Sequence, residues 1–295
     1  MTDKGKPGEE KFRYFGHIGR IAVIFFLGFS LFLVVSTIML IFLTKPEREV
    51  DHGLKLGVAS YSLRKFPLDQ AIVMTRQAGV KYICLKDVHL SMKSSPAELA
   101  AARKQVEAGG LTLLGGGVIY MNNKADEIRN AFEYAKHAGM PTIVCSPDPA
   151  ALDLVEKAAK EYDLRIAIHN HGPGDQRYPS PLDVFRLVKD RDARLGICMD
   201  VGHSVRLGED PVAVIQQCAS RLYDFHIKDV TEAAAKGGAV AVGRGVIDVV
   251  GVMKALTGMK FSGHVALEHE VNADNPLPGM IESFGYLRGV LAAIY

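Results

Sequence analysis

The chain has 295 residues, 35 Lys and Arg against 33 Asp and Glu, a formal net charge of +2 and an apolar fraction of 48%. Seven of the basic and five of the acidic residues fall in the first fifty positions, so the remainder is neutral. A neutral remainder lacks the cationic excess that grips nucleic acid, which argues against a nucleic-acid partner, and it has no general attraction to anionic membrane surfaces.

Residues 1–20 read as a polar N-terminal tail, followed by a run without charge from Ile21 to Leu43. At 1.5 Å per residue this run would reach about 35 Å as a helix, enough to cross a bilayer. A secretory leader has a shorter apolar core and small residues before its cleavage site, and neither is evident here. The run is therefore expected to be an uncleaved transmembrane signal anchor, with 44–52 as a charged linker. Lys11, Arg13 and Arg20 precede it, whereas Lys45 and Arg48 behind it alternate with Glu47 and Glu49. That bias predicts a single-pass membrane protein with a cytoplasmic N-terminus and everything beyond the linker extracytoplasmic.

From residue 53 to 295, strand and helix patterns alternate eight times. The strands are expected at 54–61, 81–87, 111–120, 142–148, 165–171, 195–202, 222–229 and 264–270. Between them, 3.6-residue periodicity predicts helices, most clearly at 68–79, 96–110, 125–139, 149–163 and 179–190. Several open on Pro or Asp and close on Gly. Strict alternation implies a parallel sheet, and eight repeats imply a closed (β/α)8 barrel, the TIM-barrel class of α/β fold. A last helix, 283–295, should close the barrel against the first repeat. The Gly- and Ala-rich stretch from Val230 to Arg244 is expected to be a mobile cover over the mouth. Three glycines at 115–117 allow either close approach to a ligand or a kinked strand. Cys84, Cys145, Cys198 and Cys218 lack paired metal spacing and read as packing residues.

Four of the strands end in metal-type residues: His169, Asp200, His226 and Glu268. They recur roughly every 30 residues, about one strand–helix repeat. One ligand at each successive strand end predicts a single metal site at the mouth of the barrel. Two imidazoles and two carboxylates suit Mn2+, Zn2+, Co2+ or Fe2+ better than a calcium cage of oxygens. Because strand residues i and i+2 share a face, His171, Lys228 and Glu270 should stand beside His169, His226 and Glu268. Each is a candidate acid or base, or an orienter of the ligands. By the same parity Lys86 points inward with Cys84 and is a candidate for a substrate oxygen.

From Leu54 to its end the chain resembles the sugar phosphate isomerase/epimerase family, the xylose-isomerase-like barrels. The resemblance rests on Asp200-x-x-His203, the strand-seven His226, the Gly243-x-Gly245 turn and the strand-eight Glu268. It implies one divalent metal held by Asp200, His226 and Glu268, with His203 and Arg244 contacting substrate. There is one departure: where the sugar epimerases place a strand-five glutamate, this chain has His169. A symmetric exchange of one proton between two glutamates is therefore in doubt.

Such a site suits a ketose or keto-sugar chelated by the metal, with Glu268 or His171 removing its α-proton to leave an enediolate. Reprotonation gives isomerisation or epimerisation, which the family resemblance favours. Loss of a β-leaving group gives lyase or dehydratase chemistry on a keto-sugar, inosose or 3-keto-glycoside. A non-catalytic membrane-tethered sugar-binding module is the reading from another class. Oligomeric state stays open, a homo-oligomer included.

Overall fold

The computed structural model describes residues 53–294. The tail 1–20, the apolar run 21–43 and the linker 44–52 lie outside the described residues. Among those described, no helix is long and apolar enough to cross a membrane. The expected placement as a single-pass membrane protein with an extracytoplasmic barrel is corrected accordingly: none of the described helices supports it.

Eight parallel strands among the described residues form a closed barrel: β1 (Lys55–Ala59), β2 (Tyr82–Leu85), β3 (Thr112–Met121), β4 (Thr142–Pro147), β5 (Arg165–His169), β6 (Leu195–Asp200), β7 (Leu222–Ile227) and β10 (His264–Leu267). The first and last pair in register from Lys55↔His264 to Val58↔Leu267. Two short strands, β8 (Asp229–Val230) and β9 (Ala239–Val240), form a separate antiparallel pair. All eight predicted barrel strands are present, but most stop short of their polar tails. His171, Lys228, Glu268 and Glu270 lie just past the ladder, where the chain leaves the sheet at its C-terminal end.

The sequence explains the helices as directly. In Ala125–Ala138, Ile128, Ala131, Phe132 and Ala135 recur at helical spacing and are all buried. A fully buried Phe132 contributes roughly 1.5–3 kcal/mol. Pro96–Ala108 opens on a reciprocal cap: the Ser95 hydroxyl accepts from the Glu98 N–H, and the Glu98 carboxylate accepts from the Ser95 N–H at 2.7 Å. Ser180 and Asp183 repeat the device before Pro181–Val188. The last helix starts at Leu277 rather than at 283. Pro278 falls in its first turn, where the missing N–H costs nothing, so a residue that reads as a breaker belongs to the helix.

The triple glycine is a kink. Gly117 has φ of 149°, and a Cβ there would lie 2.0 Å from the carbonyl oxygen of Val144 on β4. The β3–β4 register shifts between Gly116 and Ile119. All four cysteines are buried and free, in keeping with packing roles.

The stretch expected to be a mobile cover is instead tied down at both ends. The carboxylate of Asp229 accepts four backbone N–H groups, from Val230 (2.9 Å), Gly243 (3.0 Å), Gly245 (2.9 Å) and Ile247 (3.1 Å). With the β8–β9 ladder, these bonds hold both ends of the loop in place.

Candidate active site and metal centre

The C-terminal ends of β5, β6, β7 and β10 bring His169, Asp200, His226 and Glu268 together. One ligand-type atom from each lies within 4.8 Å of all the others. His169 Nε2 is 3.1 Å from His226 Nδ1 and 3.6 Å from Asp200 Oδ2. His226 Nδ1 is 3.4 Å from Glu268 Oε2. All four are buried. Among the described residues, His169 Nδ1 and His226 Nε2 have no hydrogen-bond partner. Buried polar atoms without partners are costly, and two orphaned imidazole nitrogens within a buried cluster of His, Asp and Glu fit a donor set for a divalent cation. Cys198 also comes within ligand reach of the two histidines. Burial and the nearby Asp224 push its thiol well up.

Neighbours fix these four side chains. Asp200 Oδ1 accepts the His203 N–H at 2.9 Å, capping the short helix Val201–Arg206 and leaving Oδ2 to face Lys228 and the histidines. The Asp200 N–H donates to Asn170 Oδ1 at 2.8 Å. Lys228 is buried, with Nζ 2.9 Å from Asp200 Oδ2, 2.8 Å from Glu268 Oε2 and 2.5 Å from Glu270 Oε1. Burial opposes each of these charges, but the charges hold one another. Lys228 sits well above the ordinary lysine range because of Asp200 and Glu268. Asp200 sits well below the carboxylate range because of His203 and Lys228, and Glu268 because of Lys228 and His226. Burial drives His169 down to about 3, leaving it neutral, the form that ligates metal. At His226 burial is outweighed by Glu268 and its pKa rises.

Beside these four side chains lies a cavity of about 320 Å3. His169, His171, His203, Glu268, Glu270 and Lys86 all line it, with Tyr61, Val118 and Tyr120. Lys86 Nζ donates to the Val118 carbonyl at 2.8 Å, just past the kink in β3. The rings of His169 and His171 are 4.6 Å apart, and His171 is within 6.0 Å of His203. Gly172 permits this crowding: its φ is 78°, and a Cβ would press on His203 at 3.1 Å. Arg244 is not brought to this cavity. It pairs with Glu282 (Nη2 to Oε2, 2.9 Å) and lines a separate cavity with His269 and Asn275. The Gly243 turn that precedes it is pulled toward Asp229, which carries Arg244 outward.

Three groups at the cavity escaped sequence reasoning. Tyr120 ends the apolar run of β3, Tyr61 lies in the turn after β1, and Asp175 lies in the loop after β5. Tyr120 OH is 3.0 Å from His171 Nε2, and Asp175 Oδ2 is 3.0 Å from His171 Nδ1. A tyrosine ending an apolar run carries no distinctive signal. Asp175 lies four residues beyond His171, in a Gly- and Pro-containing stretch that reads only as a turn.

The description "Xylose isomerase-like TIM barrel" matches residues 74–290. An inosose dehydratase of Clostridium tetani is 30% identical over 46% of this chain and 51% of its own, so the chain spans about half the length of that relative. An inosose dehydratase of Geobacillus thermodenitrificans is 24% identical over 76% of this chain and 82% of its own. The structure of 3-keto-D-glucoside 4-epimerase from E. coli superposes with a TM-score of 0.63 at 16% identity, covering 80% of this chain and 99% of that one, a likeness of fold. With its eight-stranded closure and its rim of His, Asp and Glu, the chain belongs to the xylose isomerase-like TIM barrel family.

Proposed function

We propose that the protein is a metal-dependent lyase of keto-polyols, removing the proton α to a ketone and expelling the β-hydroxyl as water. One observation carries this reading: the two sides of the rim are chemically unlike. Glu268 and Glu270 share the Lys228 ammonium on one side. On the other, His169 stands where the epimerases have a second glutamate, and His171 contacts Tyr120 and Asp175. Epimerisation by two facing carboxylates needs matched bases. Elimination needs one group that gains a proton and gives one to the leaving oxygen.

His169, Asp200, His226 and Glu268 would hold one divalent cation. When bound, it supplies Lewis-acid polarisation of the substrate carbonyl. Lys228 keeps Glu268 ionised as a ligand and holds Glu270 beside it. His203 and Lys86, both on the cavity wall, would orient substrate hydroxyls. No arginine is among the described residues lining this cavity, and Lys228 already faces three carboxylates. The site therefore favours an unphosphorylated ring. The inosose dehydratases among the relatives support the same substrate class.

The test is proton NMR in D2O of the full-length protein supplied with Mn2+ or Zn2+, against an inosose, a 3-keto-glucoside and a free ketose. Deuterium at the α-carbon together with an unsaturated ketone is expected. Exchange with rearrangement and no water loss would instead establish an isomerase or epimerase. Binding of all three ketones without exchange would establish a sugar-binding module.

A further inference from the structure

At the cavity, three groups form an ordered chain. Asp175 Oδ2 lies 3.0 Å from His171 Nδ1, and His171 Nε2 lies 3.0 Å from the hydroxyl of Tyr120. The rings of Tyr120 and His171 are stacked, with centroids 5.6 Å apart. Asp175 is fixed by its own loop, since its other oxygen accepts the N–H groups of Arg177 at 2.6 Å and Tyr178 at 3.2 Å. Arg177 lies over the Tyr120 ring at 5.8 Å, and its guanidinium donates to the Ser146 carbonyl at 2.6 Å and to Asn122 Oδ1 at 3.1 Å. Tyr120 is thus held on both sides, yet it is 59% exposed and opens onto the cavity beside His203 and Glu268.

We infer that Tyr120 is the catalytic residue that exchanges protons with the substrate, with His171 behind it as the proton store and Asp175 as the positioning residue. This rests on the lyase reading above. A carboxylate 3.0 Å from Nδ1, in ion-pair contact and not in a hydrogen bond, favours the tautomer with its proton on Nδ1, which leaves Nε2 as the acceptor for the phenol. In the first half-step the α C–H bond breaks and its proton passes to the Tyr120 oxygen. The phenol proton passes to His171 Nε2, and the electron pair left on carbon becomes the enolate. Asp175 balances the imidazolium so formed. In the second half-step the enolate re-forms the carbonyl, the carbon–carbon double bond forms and the β C–O bond breaks. The departing oxygen takes the Tyr120 proton and leaves as water, and His171 returns its proton to the phenolate. Protein and proton count are restored without a co-reactant. One group on one face serves both half-steps, so the α-hydrogen and the β-hydroxyl must leave from the same side of the ring.

The experiment compares wild type, Tyr120→Phe and Asp175→Asn as full-length proteins in D2O with an inosose, following α-deuteration by NMR and the unsaturated ketone by absorbance. Tyr120→Phe should lower kcat for both processes by at least about 100-fold, within the usual span for a lost acid–base group, with KM and bound metal unchanged. Asp175→Asn should lower kcat, taken per equivalent of bound metal, by about 10-fold with KM unchanged, so that a smaller folded fraction does not mimic the effect. Exchange and elimination by Tyr120→Phe within threefold of wild type would overturn the inference while leaving the lyase reading intact. A raised KM with unchanged kcat would overturn it too, reducing Tyr120 to a binding surface. Absence of exchange by the wild type would overturn the lyase reading and this inference with it.

Discussion

The ammonium nitrogen of Lys228 lies 2.8 Å from Oε2 of Glu268, and both side chains are buried. The same nitrogen reaches Asp200 and Glu270. Removing it leaves buried carboxylates facing one another. Lys228→Met should destabilise the metal-free protein by about 3–5 kcal/mol, as expected when one partner of a buried pair is deleted. A divalent cation should recover part of that loss. Urea unfolding in EDTA and in Mn2+ reads both effects, and a variant as stable as wild type in EDTA would disprove the charge-balancing role.

Asp200 has two duties that substitution can separate. One oxygen caps the helix Val201–Arg206 and the other points at the histidines. Asp200→Asn should keep the cap and lose the metal, and should destabilise the metal-free protein less than Lys228→Met does, because Glu268 and Glu270 still face the ammonium. Asp200→Ala should lose both, with the cap costing about 1 kcal/mol more. Metal content after gel filtration, with circular dichroism for the fold, checks the pair. Retention of one equivalent of metal by Asp200→Ala would remove Asp200 from the ligand set.

His264 sits inside the barrel at the start of β10, with neither ring nitrogen hydrogen-bonded among the described residues. Burial, reinforced by His226, lowers it from 6.5 to about 3. The unfolded chain binds a proton that the fold refuses. Its contribution to stability is therefore complete above pH 6.5 and is lost as pH falls toward 3. Between pH 7 and 5, wild type should lose roughly 2 kcal/mol that His264→Gln does not. Parallel stability curves for the two proteins over this range would contradict the assignment.

Asp229 should matter to the loop far more than to the barrel. Asp229→Ala frees four backbone donors, each hydrogen bond to a charged group being worth about 1.5–3 kcal/mol. Hydrogen exchange should show lost protection at Gly243, Gly245 and Ile247 while β1 to β7 keep theirs. Unchanged protection at those three amides would mean that the β8–β9 ladder suffices alone.

Arg244 carries the opposite expectation. Its guanidinium is engaged by Glu282 outside the cavity. Arg244→Ala should alter kcat/KM by less than about threefold, in line with the small worth of exposed ion pairs. A loss above tenfold in steady-state assays would return it to the substrate.

Much of this site was legible because a strand's geometry is simple. A metal-type residue at a strand end and a polar residue two places on share a face, which places His169 with His171 and His226 with Lys228 from spacing alone. Eight apolar runs separated by helical periods left little choice but a closed barrel. Loops follow no such period. Arg244 was misplaced because nothing in the glycine turn says that Asp229 gathers its amides. Tyr120 and Asp175 were missed because their meeting with His171 depends on how β3 and the segment after β5 bend, and neither bend repeats along the chain. Lys228 was expected at the rim, but its grip on three carboxylates is a property of three strands at once.

The way Asp229 closes its loop also sets what can change there by drift or design. Its partners are main-chain amides, indifferent to side-chain identity, so the exposed tip around residues 232–236 can be rewritten or lengthened without loosening the knot. Gly245 has no such freedom, since a Cβ there would fall 2.2 Å from Asp229 Oδ1. Libraries in this loop should therefore vary the tip and leave Asp229 and Gly245 alone.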